Sequence, residues 1–243
     1  TGLQSVLEEA AERGIVVVCF DTTVDSDLVY NVNTDQFEYG RLLAQSLADR
    51  MGGEGNILWI KGIEGNRVTL DRTEGMQSVL DNYPGIKVLG DGYGKWDDST
   101  TASVMSNLMS AYASQGIDGI LSEGGGGHAI VQSLVENGID PATVPISEGE
   151  MFNSFMKDWV EMDLDAFCTA QPPYLAAAAV DVALKVLNGE EVEPMTYVDL
   201  PTCSSKEEAE EKWYQPDQEG GFVCDWTDNN NTWNLTIEDV APN

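Results

Sequence analysis

VVVCFDTT, residues Val16 to Thr23, sets an unbroken apolar run against a carboxylate and two hydroxyls. Such a run, without polar alternation, predicts a strand buried on both faces, as in a parallel sheet. In open α/β sheets, ligands sit in the crevice beyond the carboxyl ends of the strands. Asp21 stands at such an end, so its carboxylate is expected at a crevice. The Asp-Thr-Thr sequence also offers it a purely local role in a turn.

The same alternation runs along the chain. Apolar positions at helical spacing predict helices over residues 3–13, 36–51, 69–82, 98–115, 127–137, 152–162 and 173–188. Between them stand the strand-like runs NILWIKG, IKVLGDG, DGILSEG, VPISEGE, AFCTAQ and MTYVDLP, and an irregular acidic tail follows. Strands alternating with helices predict an α/β fold whose parallel sheets are covered by helices. The strand ends lead into Glu64, Asn66 and Arg72, then Trp96, then Gly124–Gly127, then Glu148 and Glu150, and finally Gln171. Carboxylates accept from hydroxyls, guanidinium and amide groups donate, and an indole stacks on C–H faces, so this set suits a small polyhydroxy ligand.

Composition narrows the choice. The chain has 243 residues, 42% of them hydrophobic, with 42 acids against 12 bases and a formal net charge of −30. That charge repels phosphate backbones, so no nucleic-acid partner is expected. The single histidine, His128, reads as an ordinary helix-start residue, and four cysteines without Cys-x-x-Cys spacing give no metal centre. Cys19 and Cys168 read as buried thiols, while Cys203 and Cys224 are open to pairing in an oxidising compartment. The glycine run lacks the Gly-Lys-Ser/Thr of a P-loop, and neither Gly-x-Gly-x-x-Gly nor Gly-x-Ser-x-Gly occurs where a cofactor or nucleophile would need it. No cofactor and no catalysis are expected, although Glu148 and Glu150 would also suit paired glycosidase carboxylates.

The ordered series GIVVVCFD, NTDQFEYGRLLAQSLADRM, LDRTEGMQSVLDNYPGIKVL, GYGKWDDSTTASVMSNLM, IDGILSEGGG, TAQPPYLAAAAVDVALKVLNGE and YVDLP resembles the sugar-binding family of type I periplasmic solute-binding proteins. The resemblance implies two Rossmann-like lobes joined by three crossings, near Asn33–Asp35, Ala170–Pro172 and Val198–Leu200. Residues 1–33 and 172–198 would form a first lobe that lacks its opening strand–helix units, and 34–171 with 199–243 a second lobe ending in the acidic tail. It implies a monomeric receptor, periplasmic or extracellular, that closes on a monosaccharide or polyol between its lobes and delivers it to the membrane permease of an ABC transporter. A lipid anchor outside this segment, or the transporter itself, would hold it at the membrane. The effector-sensing domain of a sugar-responsive repressor shares the fold and is the competing expectation.

By position in the family's motifs, Asp21 and Gln171 are carried over as hydroxyl partners, Arg72 as a bidentate donor and Trp96 as the stacking aromatic. Departures are visible too. Thr22 follows the first acid where arginine is usual, and Gly124-Gly125 replaces Asn-Asp. Ser147-Glu148-Gly149-Glu150 stands for Gly-Phe-Asp, resembling a branch with Gly-Glu followed by Asn and an aromatic helix (Gly149, Glu150, Asn153, Trp159). Glu148, Glu150 and Asn153 are the ligand candidates from that segment, with Asn153 equally suited to capping a helix.

Overall fold

In the computed structural model, which describes residues 2–224, the elements alternate as follows. Helix α1 (Gln4–Glu12) precedes β1 (Val18–Phe20) and β2 (Tyr30–Asn33); α2 (Gln36–Arg50), β3 (Glu54–Lys61), α3 (Arg67–Leu80) and β4 (Gly85–Tyr93) come next. Then come α4 (Asp98–Tyr112), β5 (Gly119–Ser122), α5 (Gly127–Glu136), β6 (Ile146–Gly149), α6 (Asn153–Met162) and β7 (Ala166–Thr169). The chain finishes with α7 (Leu175–Leu187), β8 (Met195–Tyr197), β9 (Thr202–Cys203) and a short helix α8 (Lys206–Glu208) that widens into a π turn over Ala209–Trp213.

The described residues form two compact units, 2–35 with 171–200 and 36–170 with 201–224. The smaller unit holds a three-stranded parallel sheet in the order β1-β2-β8. Its core is Val32 with Leu175, Ala178, Ala179, Val182 and Val198, the inward stripe of α7 laid on the sheet. The VVVCF run departs from expectation here: Phe20 is 48% exposed and Cys19 only partly buried. The reason is position, since β1 is an edge strand with a neighbour on one side only.

The larger unit carries a six-stranded sheet, β4-β3-β5-β6-β7-β9, parallel throughout except for the final antiparallel pair. Helices α4, α5 and α6 cover one core, in which Leu58, Ile60, Ile120, Ile146, Phe155 and Trp159 are almost wholly buried. Asn66 and Asp97 start α3 and α4 by accepting from Val68 N and Thr100 N, the hydrogen bonds a helix otherwise lacks at its amino end. Helices α2 and α3 cross at backbone contact. A β-carbon on Gly40 would lie 2.0 Å from Arg72 O, and one on Gly75 would lie 2.0 Å from Phe37 O. This crossing brings the amino-terminal half of α2 against Arg72.

The irregular tail expected after residue 201 is partly ordered structure. Thr202–Cys203 pairs antiparallel with β7, and Trp213 and Cys224 are fully buried in the core of the larger unit. Cys203 and Cys224 are thiols with separate neighbours, the sulfur of the first 3.6 Å from Ser205 O and that of the second 3.3 Å from Asn153 Oδ1. Burial pushes the Cys203 thiol up to about 12.

Two substitutions probe this packing by urea unfolding. Trp213→Ala is expected to cost about 3–5 kcal/mol, the usual price of an indole-sized core cavity; a loss below about 1 kcal/mol would mean the segment is not docked. Gly75→Ala is expected to cost at least about 1–3 kcal/mol, because the helices must separate to admit the methyl group.

Candidate functional site

Because β3, β4, β5 and β6 are parallel, their carboxyl ends open on one edge of the sheet. A cavity of about 450 Å³ lies there, lined by Trp96, Asp97, Asp98, His128, Glu148, Glu150, Phe152, Ser154, Phe155 and the glycines Gly125, Gly127, Gly220 and Gly221. Trp96 comes from the loop after β4, His128 from the start of α5, Glu148 from β6, and Phe152 and Phe155 from around the start of α6.

Trp96 and Glu150 are both held with positive φ, 57° and 71°. Side chains avoid this region, at a cost of about 1–3 kcal/mol each, so surrounding contacts must impose it. For Trp96 the constraint is visible at Gly125, where a β-carbon would stand 2.5 Å from the tryptophan backbone. Asp21 in the smaller unit shares this conformation, at 64°.

Arg72 is 2% exposed and does not lie on a solvated helix face. Its Nε donates to Gln36 Oε1 (2.8 Å), Nη1 donates to Glu123 O (2.7 Å), and both Nη atoms lie 3.3 Å from Glu150 Oε1. The guanidinium lies 3.6 Å from the centroid of Tyr39, and the Tyr39 hydroxyl donates to Glu150 Oε1 at 3.2 Å. Arg72 thus holds the Glu150 carboxylate in place from beneath the cavity.

Glu148 occupies a different setting. It is 1% exposed, Oε1 accepts from Gly126 N (3.1 Å), and Oε2 has no hydrogen-bond partner among the described residues. Burial pushes its carboxyl up to about 8, against the opposing hydrogen bond from Gly126. Beneath the site, Glu123 is also fully buried, accepting from Gly62 N (3.0 Å) and Thr73 Oγ1 (2.8 Å), and burial pushes it up to about 7. Asp97 is lowered instead, by hydrogen bonds from Ser99 and Thr100.

Of the residues expected from sequence, Trp96, Glu148 and Glu150 line this cavity and Arg72 supports it. The structure does not bring Asn153 to it: the Asn153 amide donates to Gln215 O (2.8 Å) and Gln218 O (3.0 Å) and accepts from Gln215 N (2.9 Å). Nor does it cap its own helix, since Phe152 holds that position. In the smaller unit, Gln171 Nε2 donates to Asp21 Oδ1, and Asn33 Nδ2 holds the Asp21 carbonyl at 2.7 Å. Sequence reasoning missed Phe152, Phe155, Glu123 and the His128–Asp158 pair (2.6 Å), which tethers α5 to α6 beside the cavity. For His128 the signal was its place directly after four glycines; for Glu123 it was the acid directly before them.

A family model described as "Periplasmic binding protein domain" matches residues 1–191. The chain belongs to the periplasmic binding protein domain family. The xylitol-binding protein of Mycolicibacterium smegmatis is 33% identical over 131 residues, 53% of this periplasmic binding protein chain, which spans 37% of that relative's length. Among solved structures, the periplasmic binding protein component of the arabinose ABC transporter from Shewanella sp. ANA-3, bound to α- and β-L-arabinofuranose, is 26% identical. Its TM-score is 0.79, over 86% of this chain and 71% of that one. An ABC transporter periplasmic solute-binding protein from Actinobacillus succinogenes 130z with bound D-allose shares the fold at TM-score 0.75 and 23% identity, covering 85% of this chain and 75% of that one. Together with the parallel sheets these establish the α/β periplasmic binding protein fold expected from sequence. No helix among the described residues is long and apolar enough to cross a membrane.

The raised carboxyls give this fold a pH signature. Glu123 and Glu148 are protonated in both states well below pH 4.5; above it the unfolded chain releases protons that the folded chain keeps up to about 7 and about 8. The folded state then binds more protons, so stability falls as pH rises through that window. Urea unfolding of Glu148→Gln between pH 5 and 8.5 should show a shallower decline than wild type, by up to about 1.4 kcal/mol per pH unit. Parallel slopes would place Glu148 in a wetter setting.

Proposed function

We propose that the protein is an extracytoplasmic solute-binding receptor of an ABC-type transporter, and that the cavity of its larger unit holds a neutral monosaccharide or polyol. The observation that carries this reading is the pairing, in one cavity, of aromatic rings (Trp96, Phe152, Phe155) with the buried carboxyl of Glu148, one of whose oxygens has no hydrogen-bond partner among the described residues. A carbohydrate offers C–H faces that pack on rings and hydroxyls that both donate to and accept from carboxyl groups, while a buried polar atom left unpaired costs about 1–3 kcal/mol. Glu148, Glu150, Asp97 and Asp98 around the same space disfavour an anionic ligand. Asp21 and Gln171 of the smaller unit are proposed as further hydroxyl partners. The compounds named for the relatives, xylitol, L-arabinofuranose and D-allose, are all neutral and polyhydroxylated, which supports the choice of class. A membrane permease as partner, and a site of action outside the cytoplasmic membrane, belong to the same proposal.

Thermal-shift screening and calorimetry against xylitol, L-arabinose, D-allose and D-galactose, with D-gluconate as the anionic control, test it. One neutral compound should raise Tm; at a hundredfold excess over Kd the stabilisation is about 2.7 kcal/mol. Trp96→Ala should weaken that compound about ten- to a hundredfold by removing a stacking face. A response to gluconate alone, or full affinity in Trp96→Ala, would reject this reading of the cavity.

A further inference from the structure

We propose that the segment from Tyr214 to Phe222 is a wall of the ligand cavity, and that Gly220 and Gly221 set the size of ligand it admits; this rests on the reading that the cavity holds a sugar or polyol.

The segment is pinned at both ends. It leaves the core at Trp213 and returns at Cys224, both fully buried. Between these anchors it is bound to the start of α6. Asn153 N donates to Phe222 O (2.8 Å), Ser154 N donates to Gly220 O (2.9 Å), and Phe152 bridges Val223 in antiparallel register. Cys224 N donates to Met151 O at 2.8 Å. The Asn153 amide closes the arrangement by binding the main chain of Gln215 and Gln218. Helix α6 has no side-chain cap, and its first N–H groups are satisfied by carbonyls of this segment instead. An open helix amino end is a ready anion site; this one is already occupied, in keeping with a neutral ligand.

The same segment places Gly220 and Gly221 in the lining of the cavity, together with Trp96 and Phe155. Neither glycine has the positive φ that would demand the residue. At Gly221 a β-carbon meets nothing within 4 Å, and at Gly220 it meets Ser154 Cβ at 3.2 Å. Backbone and packing therefore leave position 221 open to any side chain. Gly221 is exposed and lines the cavity, so we infer that a side chain there would narrow the cavity and that the size of its occupant is what the residue controls.

The full chain and its Gly221→Leu variant are compared by calorimetry with xylitol, L-arabinose and D-galactose, with urea unfolding as the measure of fold. Gly221→Leu is expected to keep the wild-type unfolding midpoint and to lose at least tenfold in affinity for the bulkiest compound that the wild type binds. Glu136→Leu, an added apolar side chain on the exposed end of α5, should leave all affinities unchanged. Unchanged affinity in Gly221→Leu, or an equal loss in Glu136→Leu, overturns the proposal. If the wild type binds none of the three, the wall is judged by a measurement that needs no ligand; binding of neither these nor D-allose would count against the sugar reading and not against the wall. Acrylamide quenching of Trp96, taken as the difference between each protein and its Trp96→Phe counterpart, should fall in Gly221→Leu. Quenching equal to wild type would show that residue 221 does not face the cavity.

Discussion

A guanidinium taken out of water must be met on every side by acceptors, and Arg72 is the place where this rule organises the larger unit. Its neighbours come from separate parts of the chain: Gln36 and Tyr39 from α2, the carbonyl of Glu123 after β5, and Glu150 after β6. These elements cannot shift independently without stranding a charge. The close crossing at Gly40 and Gly75 is what allows α2 to reach the arginine at all. The cavity floor is thus rigid because its supporting network is charged and buried, not because of any one strong bond.

Above that floor the carboxyls are differentiated by surroundings. Glu150 faces a fixed positive charge, whereas Glu148 lies next to Ser122 and Cys168 in the sheet register, with only backbone and hydroxyl donors to offset its burial. A neutral ligand with hydroxyls, which both donate and accept, would meet the unpartnered oxygen of Glu148 without adding charge to a chain of net charge −30. Strained backbone at Trp96 and Glu150 concentrates at the same spot.

Much of this was legible beforehand because it depends on periodicity and on strand ends. The alternation of β3, α3, β4, α4, β5 and α5 follows from apolar spacing and glycine stops, and parallel strands deliver their carboxyl-end residues to one edge wherever the helices fall. That logic, aided by family resemblance, singled out Trp96, Glu148 and Glu150, which line one cavity, and Arg72, whose guanidinium is engaged by Gln36, Glu123 and Glu150 beneath it. What was missed depended on tertiary partners. The strand Tyr30–Asn33 carries two asparagines that local preference assigns to turns, and its pairing with β1 and β8 overrides them. The stretch KEEAEEKW hides Ala209 and Trp213 among charges, yet those two residues are the buried face. Asn153 looked available because nothing local shows that Gln215 and Gln218 will claim it. VVVCF looked fully buried because a run of residues does not say whether its strand stands at the centre or the margin of a sheet.

The antiparallel β7–β9 pairing carries a consequence for biosynthesis. The larger unit is built from residues 36–170, but its outermost strand and the indole plugging its interior lie beyond residue 200. A chain emerging amino end first must therefore make the whole of α7 and β8, which belong elsewhere, before the earlier module can be sealed. Until then the margin of β7 and the hollow left for Trp213 stay wet and sticky, an aggregation-exposed interval that long-range closure imposes on any nascent protein wired this way.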